Sequence, residues 1–124
     1  MARDRGRILV VDDDRGVRTA LRVNLTRAGY DVTLAPDGES ALAAIPDGRF
    51  DLVLTDVKMS GMSGHDLLRA IKTSHDDLPV VVMTGHGGVE GAVKAMQGGA
   101  ANYIIKPVSR DELLVVLERA QKTR

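Results

Sequence analysis

The stretch Ile8-Leu9-Val10-Val11-Asp12-Asp13-Asp14 decides how this chain folds: four apolar residues, three of them β-branched, run straight into three carboxylates. A continuous apolar run of that kind suits a strand covered on both faces, the habit of parallel sheets. The pattern recurs: Leu52-Val53-Leu54-Thr55 ends at Asp56, and Tyr103-Ile104-Ile105 ends at Lys106-Pro107. In an open α/β sheet the carboxyl ends of parallel strands share one edge, so these distant residues are expected to converge on one pocket. Carboxylates crowded with a lysine at such an edge point to a divalent cation and a phosphoryl group.

Working outward, strand-like runs at about residues 7–11, 31–35, 51–55, 79–84 and 101–105 alternate with helix-period segments. Val17, Ala20, Leu21, Leu25 and Ala28 form a stripe that stops at Gly29, a natural residue just past a helix end. Ala41, Leu42 and Ile45 stripe a second helix, which Pro46 is expected to help end, and Leu67, Leu68 and Ile71 stripe a third. Ser63 with Asp66 three residues on resembles a capping box, and Ser109-Arg110-Asp111-Glu112 is a full one opening a last helix with Leu113, Val116, Leu117 and Ala120. Repeated βα units without a hairpin signal require right-handed crossovers and a parallel sheet.

The fourth helical segment differs. Residues 85–99 hold six glycines, with Ala92, Val93 and Met96 as the apolar stripe. An internal glycine costs about 1 kcal/mol relative to alanine, so this element is expected to be the least secure in the fold. The glycines either cap the helix at its two ends or mark a segment that must move.

Composition narrows the function. The 124 residues, 44% apolar, match one domain over 1–124, with Gln121-Lys122-Thr123-Arg124 a frayed end or the start of a longer regulator cut after about residue 120. Lys+Arg and Asp+Glu both number 17, so no global field draws the chain to nucleic acid or a membrane. Cysteine is absent, which removes disulfides and thiol chemistry and suits the cytoplasm. The charged N-terminus precedes an apolar run too short for a signal peptide or a membrane span. His65, His75 and His86 lack ligand spacing and are expected at the surface.

Taken in order, the paired acids Asp12-Asp13, the lone Asp56, Thr84, and Lys106-Pro107, each after its own strand, with Tyr103 three residues before the lysine, resemble the receiver domain of two-component response regulators. The resemblance covers essentially the whole chain. Met83-Thr84-Gly85-His86-Gly87 and Ala92-Val93-Lys94-Ala95-Met96 are most similar to the N-terminal receivers of enhancer-binding transcriptional activators. The resemblance implies a flavodoxin-like, doubly wound sheet of five parallel strands in order 2-1-3-4-5 with five helices. It also implies a phosphoryl group received from a sensor histidine kinase or phosphotransfer protein, and an output domain absent from this chain. A homodimer through the fourth helix, fifth strand and fifth helix is implied too, as is a cis peptide at Pro107.

The chemistry requires these residue types. Asp56 alone is a poor nucleophile toward an anionic donor; Mg²⁺, or Mn²⁺, removes both difficulties because it takes oxygen ligands and bridges carboxylates to phosphate. Asp13 and Asp56 are expected as direct ligands, Asp12 through a bound water, and the Lys58 main-chain carbonyl as a further oxygen. Lys106 neutralises a phosphoryl oxygen, since phosphoryl transfer depends on positioning and electrostatics. Thr84 hydrogen-bonds the new group, Gly85 leaves its N–H unobstructed, and Tyr103 answers the change as a switch. Lys58 and His86 flank the route of attacking water and are expected to set the lifetime of the phosphorylated state. Ser60 stands where the family has proline, so the loop after Asp56 is expected to be less rigid.

Two other readings use the same residues. Acids favour a helix N-terminus, and Asp14 is expected to serve as such a cap, but three acids exceed what a cap requires. A haloacid-dehalogenase-like Mg²⁺-dependent phosphatase would use Asp12 as nucleophile with Asp14, Thr84 and Lys106. That alternative leaves Asp56 unexplained.

Overall fold

The apolar runs become parallel strands β1 (Gly6–Val11), β2 (Tyr30–Ala35), β3 (Leu52–Asp56), β4 (Val80–Thr84) and β5 (Asn102–Ile105) in the computed structural model, which describes residues 5–85 and 88–122. They form one sheet in the order β2-β1-β3-β4-β5. Between and after them lie α1 (Arg15–Arg27), α2 (Gly38–Gly48), α3 (Gly64–Ser74), α4 (Gly88–Gln97) and α5 (Arg110–Lys122). The parallel sheet is the one the repeated βα units require, and its order is the flavodoxin-like one that the resemblance implies.

Alternation along the central strands divides the core into two layers. Leu9, Val11, Val53, Val80 and Val82 face a cluster completed by Ile45 of α2, Leu67, Leu68 and Ile71 of α3, and Ala95 of α4. Ile8, Val10, Leu52, Leu54, Val81 and Met83 face the other side, against Leu21 and Leu25 of α1 and Leu113, Leu117 and Ala120 of α5. Successive residues of a strand point to opposite faces, which is why both parities are apolar in β1, β3 and β4.

Register then aligns the chemistry. Val11 pairs with Thr55, so Asp12 and Asp56, each the next residue along, leave the sheet side by side. Thr84 pairs with Ile105, and the Lys106 N–H donates to the Thr84 carbonyl at 2.7 Å.

Three local expectations need correction. Pro46 does not end α2, which runs on to Gly48; a proline near a helix C-terminus loses only one hydrogen bond, and α2 stops beyond it at Arg49, whose φ is +52°. Ala20 is exposed, and the buried line of α1 is Leu21, Leu25 and Ala28. In α4 the buried residues are Ala92 and Ala95, whereas Val93 and Met96 face outward. The α3 capping box is formed in both directions between Ser63 and Asp66. At α5 the Glu112 N–H donates to Ser109 Oγ, and that hydroxyl in turn donates to the Glu112 carboxylate, so the reciprocal arm is side chain to side chain.

Candidate functional site

Asp12, Asp13 and Asp56 come together at the carboxyl edge of β1 and β3, each offering a carboxylate oxygen within 4.8 Å of the others. Asp12 is the most deeply placed, 1% exposed. Its Oδ1 accepts from the Asp14 N–H at 2.9 Å, but its buried Oδ2 has no hydrogen-bond partner. A buried carboxylate oxygen left without a donor is costly and calls for an ion, a water or a cation. Burial pushes the Asp12 carboxyl above its ordinary range; the Asp14 N–H opposes this, and the Asp56 charge adds to it. An all-oxygen donor set with a buried, unsatisfied carboxylate fits Mg²⁺.

Lys106 supplies the cation next to this cluster. Its ammonium, just past the end of β5, lies 3.1 Å from Asp56 Oδ2 and 4.0 Å from Asp12 Oδ2, and the Lys106–Pro107 bond is cis. The Val57 N–H donates to Asp56 Oδ1 at 2.8 Å, which fixes the plane of the carboxylate and turns Oδ2 to the lysine. Thr84, at the end of the neighbouring strand, is 3% exposed, and its Oγ1 also lacks a hydrogen-bond partner. One strand edge thus holds an unsatisfied buried acceptor and an unsatisfied buried hydroxyl.

Asp14 is outside this cluster. It is the N-cap of α1, accepting from the Val17 N–H at 3.1 Å. The phosphatase arrangement would need it in the pocket, and nothing favours that alternative. Lys58 is exposed just past Asp56. Tyr103 is exposed on β5, the strand at the edge of the sheet beyond β4. An added Cβ at Gly85 would meet nothing within 4 Å, so packing does not require a glycine there. His86 lies outside the described residues. His65 is not a surface residue: it is partly buried, and its Nδ1 has no hydrogen-bond partner.

Three contributors were not read from the sequence. Gly64 lets the start of α3 touch the end of β3, because a Cβ there would stand 2.1 Å from the Asp56 carbonyl oxygen. A glycine directly after an N-cap serine is poor for helix propensity, and that was the available signal. Arg18 donates from Nη1 to the Asp12 carbonyl at 2.8 Å, but nothing in the sequence separates it from the other arginines of α1. Ser60, singled out in the sequence only as the place where the loop is expected to be less rigid, donates its main-chain N–H to Asp13 Oδ2 at 3.1 Å and so tethers the loop after β3 to the cluster.

Comparison with known proteins gives the same picture. The family profile described as the response regulator receiver domain matches residues 8–118. The transcriptional regulatory protein FixJ of Bradyrhizobium diazoefficiens is 40% identical over 116 residues, which are 94% of this chain and 57% of that protein. The transcriptional regulatory protein ZraR of Escherichia coli K12 is 44% identical over 120 residues, 97% of this chain and 27% of that protein. The crystal structure of the receiver domain of NtrX from Brucella abortus is 43% identical and superposes with a TM-score of 0.90, covering 94% of this chain and 99% of that one. The matched chain spans 57% of the length of FixJ and 24% of that of the response regulator protein FleR of Pseudomonas aeruginosa, so it corresponds to part of the curated relatives it matches. With the profile spanning nearly the whole sheet and a full-length match to a solved receiver, the chain belongs to the response regulator receiver domain family.

Proposed function

We propose that this receiver accepts a phosphoryl group on Asp56 from the phosphohistidine of a sensor histidine kinase or phosphotransfer protein, and passes the change to an output domain that regulates transcription. The observation that carries this is the buried, unpartnered Asp12 Oδ2 within a carboxylate trio that Lys106 faces at 3.1 Å. A carboxylate oxygen of Asp56 forms the new O–P bond as the donor's N–P bond breaks, and the electron pair leaves on the imidazole nitrogen. Lys106 meets the charge on the transferring group, and the Val57 N–H holds the carboxylate in place. Bound Mg²⁺ or Mn²⁺, held by Asp13, Asp56, the Lys58 carbonyl and, through a bound water, Asp12, would lower the repulsion between the carboxylate and its anionic donor.

The Thr84 hydroxyl is the group available to hydrogen-bond the phosphoryl oxygens, with the Gly85 N–H beside it. Drawing Thr84 toward Asp56 frees space beneath α4, which Tyr103 can enter from its exposed position. Val89, Val93 and Met96 of α4, Tyr103 and Ile105 of β5 and Val115 of α5 are all exposed apolar residues. That concentration supports the α4-β5-α5 face as the surface where a second copy or an output domain docks. Lys58 and His86 set the lifetime of the phosphorylated form. No helix among the described residues is long and apolar enough to cross a membrane, in keeping with action in the cytoplasm. Hydrogen exchange with and without beryllofluoride and Mg²⁺ tests the reading. Protection should change most across about residues 84–106; changes confined to residues 12–14 and 56–60 would show binding without transmission.

A further inference from the structure

The loop between β3 and α3 reaches back across the sheet edge to the one carboxylate of the trio that is exposed. Asp13 faces solvent, where an aspartate side chain is ordinarily free to rotate. Here its Oδ2 accepts from the Ser60 main-chain N–H at 3.1 Å, while the Ser60 hydroxyl stands at 3.5 Å, the limit of a hydrogen bond. The geometry points to Ser60 as a positioning residue that acts through its main-chain N–H, orienting the Asp13 carboxylate for the divalent cation. This deepens the proposed function and rests on its metal reading.

Two physical effects make the bond matter. Mg²⁺ demands near-octahedral oxygens, so a ligand already held at its angle loses less rotational freedom on binding than a mobile one. A carboxylate also has two oxygens, so a hydrogen bond at one leaves the other to offer. The donor in addition lowers the repulsion that Asp13 feels from Asp12 and Asp56 before any cation arrives. Outer-shell partners that orient a metal's ligands commonly carry a measurable share of its affinity. The trio would otherwise have one buried member fixed by the Asp14 N–H, one fixed by the Val57 N–H, and one loose.

Calorimetric titration with MgCl₂ at constant ionic strength distinguishes the N–H from the hydroxyl. Ser60→Ala keeps the N–H and should bind Mg²⁺ within about twofold of wild type, whereas Ser60→Pro has no N–H and should bind about threefold to tenfold more weakly. Equal or tighter binding by Ser60→Pro overturns the inference, and so does a loss in Ser60→Ala as large as that in Ser60→Pro. Asp13→Ala separates the two levels of the claim. If Asp13→Ala binds as wild type, the metal reading itself fails; if it loses affinity while Ser60→Pro does not, only the role of Ser60 fails. Should Ser60→Pro not fold, exchange of the Ser60 amide decides: it should be slowed in metal-free wild type and released in Asp13→Ala. Equal rates in the two proteins overturn the inference.

Discussion

Burial of the Asp12 carboxylate beside two others costs the metal-free fold, because its Oδ2 has no protein hydrogen-bond donor and Lys106 reaches it only at 4.0 Å. Asp12→Asn keeps Oδ1 as acceptor for the Asp14 N–H and removes the charge. Calorimetry in chelator should show a higher melting temperature for Asp12→Asn than for wild type, by about 4 °C for each kcal/mol of repulsion relieved. Added Mg²⁺ should then raise wild type more than the variant, through its affinity for the native state alone; a lower metal-free melting temperature in the variant would contradict this. At this scale Asp12, Asp13, Asp56 and Lys106 were legible because charges seldom follow apolar strands without a reason. Gly64 and Ser60 were not, since each acts through a backbone distance: 2.1 Å from an added Cβ to the Asp56 carbonyl oxygen in one case, an N–H to Asp13 in the other. Arg18, the third, acts through its guanidinium on the Asp12 carbonyl and is one of several arginines on α1.

Among the elements, α4 stands out in the sequence by its glycines, but its apolar stripe does not point to the face it buries. The period reading gave Val93 and Met96 to the core, as the larger residues usually are; α4 instead lies so close to the sheet that only Ala92 and Ala95 fit beneath it. Gly91 marks that closeness, since an added Cβ would stand 3.3 Å from the Thr84 methyl. Gly91→Ala gains helix propensity and crowds Thr84, so urea melts should place its stability within about 1 kcal/mol of wild type. Its exchange response to beryllofluoride over α4 should shrink, because Thr84 can no longer move independently of the helix. An undiminished response would separate α4 from Thr84. The α3–α4 seam carries a second expectation, at His65. Burial and then the Lys94 charge push its pKa below the ordinary 6.5, with Asp66 opposing and Arg69 adding. The folded state therefore binds the proton less readily than the unfolded chain, and stability present above the unfolded pKa is lost as pH falls through the folded one. Urea melts at about pH 7.5 and about pH 5.5 should show a smaller acid loss in His65→Gln than in wild type; equal losses would remove His65 as the cause.

For the molecule as a whole, topology was the most legible level. Five apolar runs separated by helix-period segments leave few arrangements once crossovers are right-handed, and the order β2-β1-β3-β4-β5 is among them. That order puts β1 and β3 side by side, and so it turns two acidic motifs more than forty residues apart into one pocket. Loop paths and the close approach of α4 to Thr84 were not legible, because they depend on small contacts that no periodicity encodes. On the proposed function, a phosphoryl group goes to Asp56 and to no other carboxylate of this pocket. Intact-mass measurement after incubation with acetyl phosphate tests it most directly. Wild type with Mg²⁺ should gain about 80 Da, one phosphoryl group, and should gain nothing in chelator or as Asp56→Asn; an adduct that survives Asp56→Asn and disappears in Asp12→Asn would contradict the account.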